Sequence, residues 1–319
     1  MNQQGVALIS VLLVVVIATV LSVSMIRHQN LTIHKARNIY DHAQAAQYAL
    51  GGEELARQIL WQDFKDAPEV DHLQEEWADQ ALFFEFEDGD VSVEINDLQG
   101  RFNINALGLS GDAGRSAQLR FSQLLQLVGT DAMYMDRAID WMDDDISTRP
   151  LGAEDYDYLG LDLPYRSGGQ AYIDLTELRL LLDMEADTYE QLEPYLSALP
   201  EPTTPININT ASAGVLQSVS AKLTSEASSE LINEREAQQG YQTVTEFLQS
   251  PFVAGLGIQE AGLSVQSNFF EVRVRARYLE RYGYLTSIVQ RNVDGTMSVI
   301  FRNLSRKVYP NVVTEEQQG

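Results

Sequence analysis

Two short acidic stretches are the strongest candidates for chemistry in this chain. The first is Ile139-Asp140-Trp141-Met142-Asp143-Asp144-Asp145 and the second is Gly152-Ala153-Glu154-Asp155-Tyr156-Asp157-Tyr158. Between Asp131 and Asp162 lie ten acidic residues, with only Arg137 and Arg149 to offset them. A solvated loop of that charge repels itself, yet Trp141, Tyr156 and Tyr158 argue for an ordered one. A hard cation such as Ca²⁺, which takes roughly six to eight oxygen ligands from carboxylates and carbonyls, would supply that order. The spacing is not that of an EF-hand, because the Asp-x-Asp-x-Asp-Gly start and the closing Glu are both missing. A plain acidic loop is the alternative.

Paired carboxylates could also serve as a general acid and a general base. No histidine accompanies them: His28, His34, His42 and His72 all lie far upstream, and the first three read as polar-face helix residues. There is no Gly-rich phosphate loop and no zinc spacing. The absence of cysteine excludes thiol catalysis and disulfides. The expectation is a protein that is not an enzyme. A net charge of −24 opposes binding to nucleic acid and adsorption to anionic lipid.

The elements that position this segment begin with an apolar run. From Gly5 to Ile26 there is no charge, and about 20 apolar residues at roughly 1.5 Å each match a hydrocarbon core of roughly 30 Å. The run is too long for a secretory signal peptide, its leader has no Lys or Arg, and Ser24-Met25-Ile26-Arg27 is a poor cleavage site. Beyond it, Leu31, Ala36, Ile39, Ala43, Ala46, Leu50, Leu55 and Ile59 recur near helical spacing. One helix therefore leaves the membrane and becomes amphipathic, with Gly51-Gly52 as its expected bend. Residues 62–80 read as a polar connection.

Two alternating runs around Asp88-Gly89 then predict a hairpin with a type I′ turn, and Phe269–Leu279, Tyr284–Asn292 and Thr296–Asn303 predict a C-terminal meander. Arg273, Arg275 and Arg277 fall on one face of that meander, either a solvated sheet face or a docking surface for an acidic partner. The tail Thr314–Gly319 is expected to be disordered. Helix, two strands, a helical block and a strand meander together spell α+β with an insertion.

The helical block carries an internal repeat. Asn103-Ile104-Asn105-Ala106 recurs as Asn207-Ile208-Asn209-Thr210, and Tyr172-Ile173-Asp174-Leu175-Thr176-Glu177-Leu178 recurs as Tyr241-Gln242-Thr243-Val244-Thr245-Glu246-Phe247. The second copy is similar to the helix-hairpin-helix unit of ComEA-type DNA-binding proteins. The glycines that let such a hairpin approach phosphate are replaced by Ser220-Ala221-Lys222-Leu223-Thr224. A DNA-binding role is therefore not expected, although the scaffold is.

A short polar leader ending in Gly5, an apolar run and an amphipathic continuation resemble the class III signal of type IV pilins and type II secretion pseudopilins. That resemblance implies cleavage after Gly5 by a prepilin peptidase, N-methylation of Val6 and retention of the helix. The family pattern has Glu at the fifth mature position, where this chain has Ser10. With that departure, the large insertion and the pattern Asp140-Trp141-x-Asp143-x-Asp145 followed by Gly152-Ala153-Glu154-Asp155-x-x-Tyr158, the chain resembles the GspK (XcpX) family of minor pseudopilins. The resemblance implies a pilin-like long N-terminal helix on an antiparallel sheet, with a large inserted α-helical domain containing a degenerate helix-hairpin-helix-like repeat. It implies structural Ca²⁺ at Asp140, Asp143, Asp145, Glu154 and Asp155. The boundaries expected are residues 1–5 for the leader, 6–26 for the membrane helix, 27–99 for the pilin-like helix and first strands, 100–266 for the insert, and 267–319 for the last strands and tail. Implied partners are GspI-, GspJ- and GspH-like minor pseudopilins met through the N-terminal helix, together with the prepilin peptidase. The implied place is the inner membrane of a Gram-negative bacterium, with the soluble part in the periplasm and the role a cap on the pseudopilus tip. A minor pilin of a type IV pilus is the alternative, and a membrane-tethered helix-hairpin-helix DNA-binding protein a more distant one. Basic residues Arg27, Lys35 and Arg37 follow the span rather than precede it, so the orientation rests on the leader and not on the charge bias.

Overall fold

A proline-free run rich in Ala, Leu, Gln and Glu propagates one helix from the apolar segment almost to the first proline, Pro68. In the computed structural model, which describes residues 3–78 and 82–304 and the side chains from residue 8 on, this helix α1 spans Gln3–Asp66 and is 64 residues long. At about 1.5 Å per residue it reaches nearly 100 Å. Every side chain from Leu8 to Tyr40 is exposed. Among the described residues α1 is the one helix long and apolar enough to cross a membrane. The expected tail, Thr314–Gly319, lies outside the described residues.

The sheet covers α1 only from Asp41 onward. Strands β1 (Leu82–Phe86), β2 (Gly89–Asp97), β7 (Phe269–Tyr278), β8 (Arg281–Arg291) and β9 (Met297–Asn303) form one antiparallel sheet in the order β1-β2-β7-β8-β9. Its inner face presents Val91, Val93, Ile95, Val272, Val274, Ala276, Leu285 and Val289 to Ala49, Ala56 and Leu60 of the helix. The buried line on α1 runs Ala45, Ala49, Gly52, Ala56, Leu60, which corrects the expected stripe through Leu31, Ala36 and Ile39. Small residues were selected here because the backbone itself approaches the sheet.

Helix α1 runs unbroken through Gly51-Gly52, where packing gives the two glycines different roles. A Cβ on Gly52 would lie 2.6 Å from Val274 Cγ1 and 2.9 Å from Val91 Cγ1, whereas one on Gly51 would meet nothing within 4 Å. Gly89 likewise serves close approach and not the expected type I′ turn. It pairs within β2 at a φ that is not positive, and a Cβ there would lie 1.9 Å from the Arg277 carbonyl oxygen. The second Asp-Gly does adopt a positive φ, +82° at Gly295, with Gly295 N–H donating to Asn292 O at 2.9 Å. The arginine stripe is ion-paired across the outer face: Arg273 lies 2.7 Å from Glu271, and Arg277 contacts Asp90. Glu53, buried on α1, accepts from Arg302 Nε at 2.8 Å and Nη2 at 2.7 Å and also from Ser287, tying β9 to the helix.

The chain leaves the sheet after Asp97 and returns at Phe269. That edge lies beside the C-terminal end of α1, since Arg291 reaches Asp63, while the opposite edge at Tyr278 packs on Tyr40 and Tyr48. Residues 98–268 have their own hydrophobic cluster, built on Phe121, Leu124, Trp141, Tyr158, Tyr189, Leu216, Leu231 and Phe247. Their elements are β3 (Phe102–Asn103), α2 (Gly111–Val128), α3 (Met133–Met142), α4 (Asp155–Leu159), α5 (Ala186–Leu192), β4 (Leu196–Ser197), β5 (Ile206–Asn207), α6 (Ala213–Ser218), α7 (Ser225–Ala237), α8 (Val244–Gln249) and β6 (Leu263–Ser264).

The sequence repeat has a hydrogen-bond counterpart. Asn105 receives the Tyr172 N–H at 2.7 Å and returns its amide to Tyr172 O at 2.9 Å; Asn209 does the same with Tyr241 at 2.8 and 3.0 Å. Asn103 and Asn207 each accept from the amide two residues on. Glu177 and Glu246 each reach back to a backbone N–H four residues earlier. Between these paired clasps the helices differ, with α2 at 18 residues and α6 at only six.

Candidate metal centre

Helix α3 exists to bury one side: Tyr134, Ala138, Ile139, Trp141 and Met142 all enter the core. That packing carries Asp140 inside as well, at 0% exposure. Trp141 fixes the following loop, its ring 5.3 Å from Tyr158 of α4 in an edge-on contact, and its N–H 3.3 Å from Glu177 Oε2. The loop folds back over α3 through two backbone donors, Arg149 N–H to Asp140 Oδ2 at 3.0 Å and Leu151 N–H to Asp136 Oδ2 at 3.2 Å. Gly152 permits this return, because a Cβ there would sit 1.8 Å from Asp140 Oδ2. Glu154 then enters the site just before α4, its N–H held by Asp157 Oδ2 at 3.0 Å.

Three of the five expected ligands converge. Asp140, Asp143 and Glu154 each place a carboxylate oxygen within 4.8 Å of the others. Asp140 Oδ1, Asp143 Oδ1 and Glu154 Oε1 are buried and accept no hydrogen bond from the described residues. Arg149 Nε stands 3.2 Å from Asp140 Oδ1 as an ion pair, without hydrogen-bond geometry. Buried polar atoms are almost always satisfied, so three such oxygens facing one another form a set that a cation, a proton or a water would satisfy. Burial first, then the charges of Asp143, Asp140 and Asp145, push Glu154 up to about 7. Burial and neighbouring carboxylates raise Asp140 and Asp143 too. An all-oxygen, carboxylate-rich set fits a hard divalent cation.

The other two expected ligands are placed differently. Asp155 spends Oδ1 on the Ser167 N–H and hydroxyl, both at 3.0 Å, and Oδ2 on Arg166 at 3.1 Å. Asp145 is exposed and accepts from Ser147 N–H at 2.6 Å, while its charge raises Asp143 and Glu154. Asp136, Arg149 and Gly152 hold the loop in place. Of these, only Gly152 had a visible sign, as the glycine opening the second acidic stretch.

A second trio, Asp63, Asp71 and Glu75, also lies within 4.8 Å. Its centre already holds a cation, the Arg291 guanidinium, 2.7 Å from Asp71 Oδ1 and 3.4 Å from Asp63 Oδ2. Ser10 is an exposed residue of α1; Gly5 and Val6 belong to the same helix, and the burial of these two lies outside what is described.

Two models of the family "Type II secretion system (T2SS), protein K" match this chain, one over residues 100–201 and the other over 206–266. The chain is 36% identical to type II secretion system protein K of Pseudomonas aeruginosa, over 97% of its own length and 95% of that protein's. It is 34% identical to the protein K of Klebsiella pneumoniae, over 91% and 96% of the two. Among solved structures, a chain of the GspK–GspI–GspJ complex from the type 2 secretion system of enterotoxigenic Escherichia coli superposes with a TM-score of 0.75 at 26% identity. That match covers 86% of this chain and all of the other.

Proposed function

The chain belongs to the type II secretion system protein K family, and from that premise we propose that this minor pseudopilin caps the tip of its pseudopilus and so supports export of proteins across the outer membrane. One observation carries the reading. The insert of residues 98–268 leaves and re-enters the sheet at the edge beside the C-terminal end of α1, the end remote from the apolar segment. In a fibre whose subunits stack through their N-terminal helices, bulk placed there stands beyond the last layer and obstructs a further one. Ser10 agrees with such a position. A carboxylate there would need a neighbouring subunit's amine to neutralise it within the membrane, where an unpaired charge costs several kcal/mol, on the order of 3. The topmost subunit has no neighbour to supply it.

On this reading α1 is the single-pass anchor before assembly, with the sheet and insert in the periplasm. The leader is cut after Gly5 and Val6 is methylated. GspI-, GspJ- and GspH-like subunits pack along the exposed part of α1, and the chain acts as a structural subunit rather than an enzyme. Asp140, Asp143 and Glu154 would hold Ca²⁺, which neutralises their charge and pins the loop to α3. Asp145 stands beside them, and Asp155 ties the loop to Ser167 and Arg166. The deciding experiment is Ser10→Glu in the full chain, assayed for secretion and for incorporation beside labelled partner pseudopilins. The expected outcome is a folded, membrane-inserted protein that loses tip placement and lowers secretion; secretion at the wild-type level would reject the capping role.

A further inference from the structure

The root of the insert is polar, and it is crowded with acids. Three carboxyl groups gather at one guanidinium there, Asp63 at the end of α1 with Asp71 and Glu75 on the connector, around Arg291 of β8, and a fourth, Asp97 at the end of β2, adds its charge beside Asp71. Asp71 is fully buried. Arg291 Nη1 donates to both its oxygens at 2.7 and 3.0 Å, between the rings of Phe64 and Phe270.

The insert is clasped by these same acids. Ser267 N–H donates to Asp71 Oδ2 at 2.7 Å, and the Ser267 hydroxyl donates to Asp97 Oδ2 at 2.6 Å. Asn207 Nδ2 reaches Asp71 O at 3.2 Å, Asp97 Oδ2 at 3.3 Å and Ser267 Oγ at 2.8 Å, and Thr210 Oγ1 also donates to Asp97. Beside this sits only a small apolar patch of Leu98, Leu199 and Phe269. The two large hydrophobic clusters are separate, so hydrogen bonds set the insert's orientation on the stem, those to the acids together with bonds through Gln99 and from Asp71 N–H to Val265 O.

We propose that this cluster is a proton-operated latch, closed on the insert while its acids hold protons and loosened as they lose them. Four acids against one guanidinium cannot all be ionised cheaply in a buried site. The remaining charged neighbours do not help: Asp66 adds another negative charge, and burial lowers His72 despite Asp71 beside it. Burial, then Glu75 and Asp71, push Asp63 up to about 7. Burial pushes Asp97 to about 6 against its hydrogen bonds, and it raises Asp71 and Glu75 as well.

The sign follows. A carboxyl raised in the closed state holds its proton more tightly there than when open. Opening therefore becomes easier as pH rises from the ordinary carboxylate range through the raised values, and levels off above about 7. For Asp63 and Asp97 together the opening equilibrium rises up to about a hundredfold per pH unit near pH 5, and about tenfold per unit between roughly 6 and 7.

Hydrogen exchange on the full chain in detergent reads this directly, as protection factors corrected for intrinsic rates. The amides of Asn207, Ser267 and Asn268, which donate to Gln99 O, Asp71 and Gln99 Oε1, report the latch. Their protection should fall at least tenfold between about pH 5 and 7, while amides of the β7–β8 ladder and of α2 keep theirs. Asp63→Asn should remove the part between about 6 and 7, and Asp63→Asn with Asp97→Asn should shrink the fall further, leaving only what Asp71 and Glu75 contribute. Equal protection at both pH values, a fall shared by the whole chain, or an unchanged fall in the variants would each overturn the latch. Repeating the series in Glu154→Gln should give the same pH response; a response lost there would place its origin at the loop site and refute the assignment.

Discussion

Neighbouring glycines on α1 should respond to the same substitution with opposite signs. Gly51 faces open space within the helix, so Gly51→Ala gains helix propensity and should stabilise the protein by about 0.5–1 kcal/mol. Gly52 faces the sheet, and its added methyl would meet Val274 Cγ1 at 2.6 Å, Val91 Cγ1 at 2.9 Å and Val93 Cγ2 at 3.2 Å. These are stiff β-branched side chains on two paired central strands, so the methyl cannot be absorbed by one rotamer. Overpacking of that kind costs about 1–3 kcal/mol. After the propensity gain the net loss is about 0.5–2 kcal/mol, a fall of roughly 1–8 °C in melting temperature, against a rise of roughly 1–4 °C for Gly51→Ala. Thermal unfolding of the full chain in detergent, followed by near-ultraviolet circular dichroism, measures both. Equal shifts in the two variants would refute the close helix–sheet approach and restore a purely conformational role for the pair.

Three further outcomes follow from buried acids. Chelation of the purified protein should lower its melting temperature, and Ca²⁺ at about a hundred times its dissociation constant should restore about 2.7 kcal/mol, or roughly 5–11 °C. Glu154→Gln should raise the melting temperature in chelator, by relieving repulsion with Asp143 and Asp140, and abolish the response to Ca²⁺; a variant that still responds fully would remove Glu154 from the site. Glu53→Ala should cost about 2 kcal/mol by stripping Arg302 and Ser287 of their shared acceptor. Burial alone would raise Glu53, but the bonds from Arg302 and Ser287 bring it below its ordinary value. Its contribution is thus present above about pH 4.5 and lost as pH falls through the lowered value, so urea titrations of wild type and variant should converge in acid. Parallel curves at all pH values would contradict that pairing.

What the sequence made legible follows from what each interaction needs. A membrane-length apolar run needs no partner to be recognised, and alternation marks strands because the pleat repeats every second residue. The acidic loop was visible for the same kind of reason, since ten acidic residues against two arginines stand out in composition. Which carboxylates converge was not visible. That depends on the Arg149 and Leu151 amides folding the loop over α3 and on room at Gly152 for the return. The line of small residues on α1 escaped because close backbone approach removes the bulky apolar residues that a periodicity search counts. It also gave Gly52, which the sequence marks as an expected bend, a packing role.

The junction acids were the least legible of all, and the reason bears on how the molecule works. Asp63, Asp71, Glu75, Asp97, Asn207, Ser267 and Arg291 come from α1, the connector, both borders of the insert, β5 within it and β8, with no shared spacing. A joint between two bodies must draw on every segment that crosses it, so its residues are scattered by construction. Hydrophobic burial could have made that joint, but it is non-directional and tolerates sliding. Buried hydrogen bonds to carboxylates define one orientation, because each misplaced donor or acceptor is left unpaired at a cost of about 1–3 kcal/mol. A subunit whose insert must face a fixed way from its helix needs that directionality more than it needs further stability. The acids at the root supply it, and their crowding makes the orientation respond to protons.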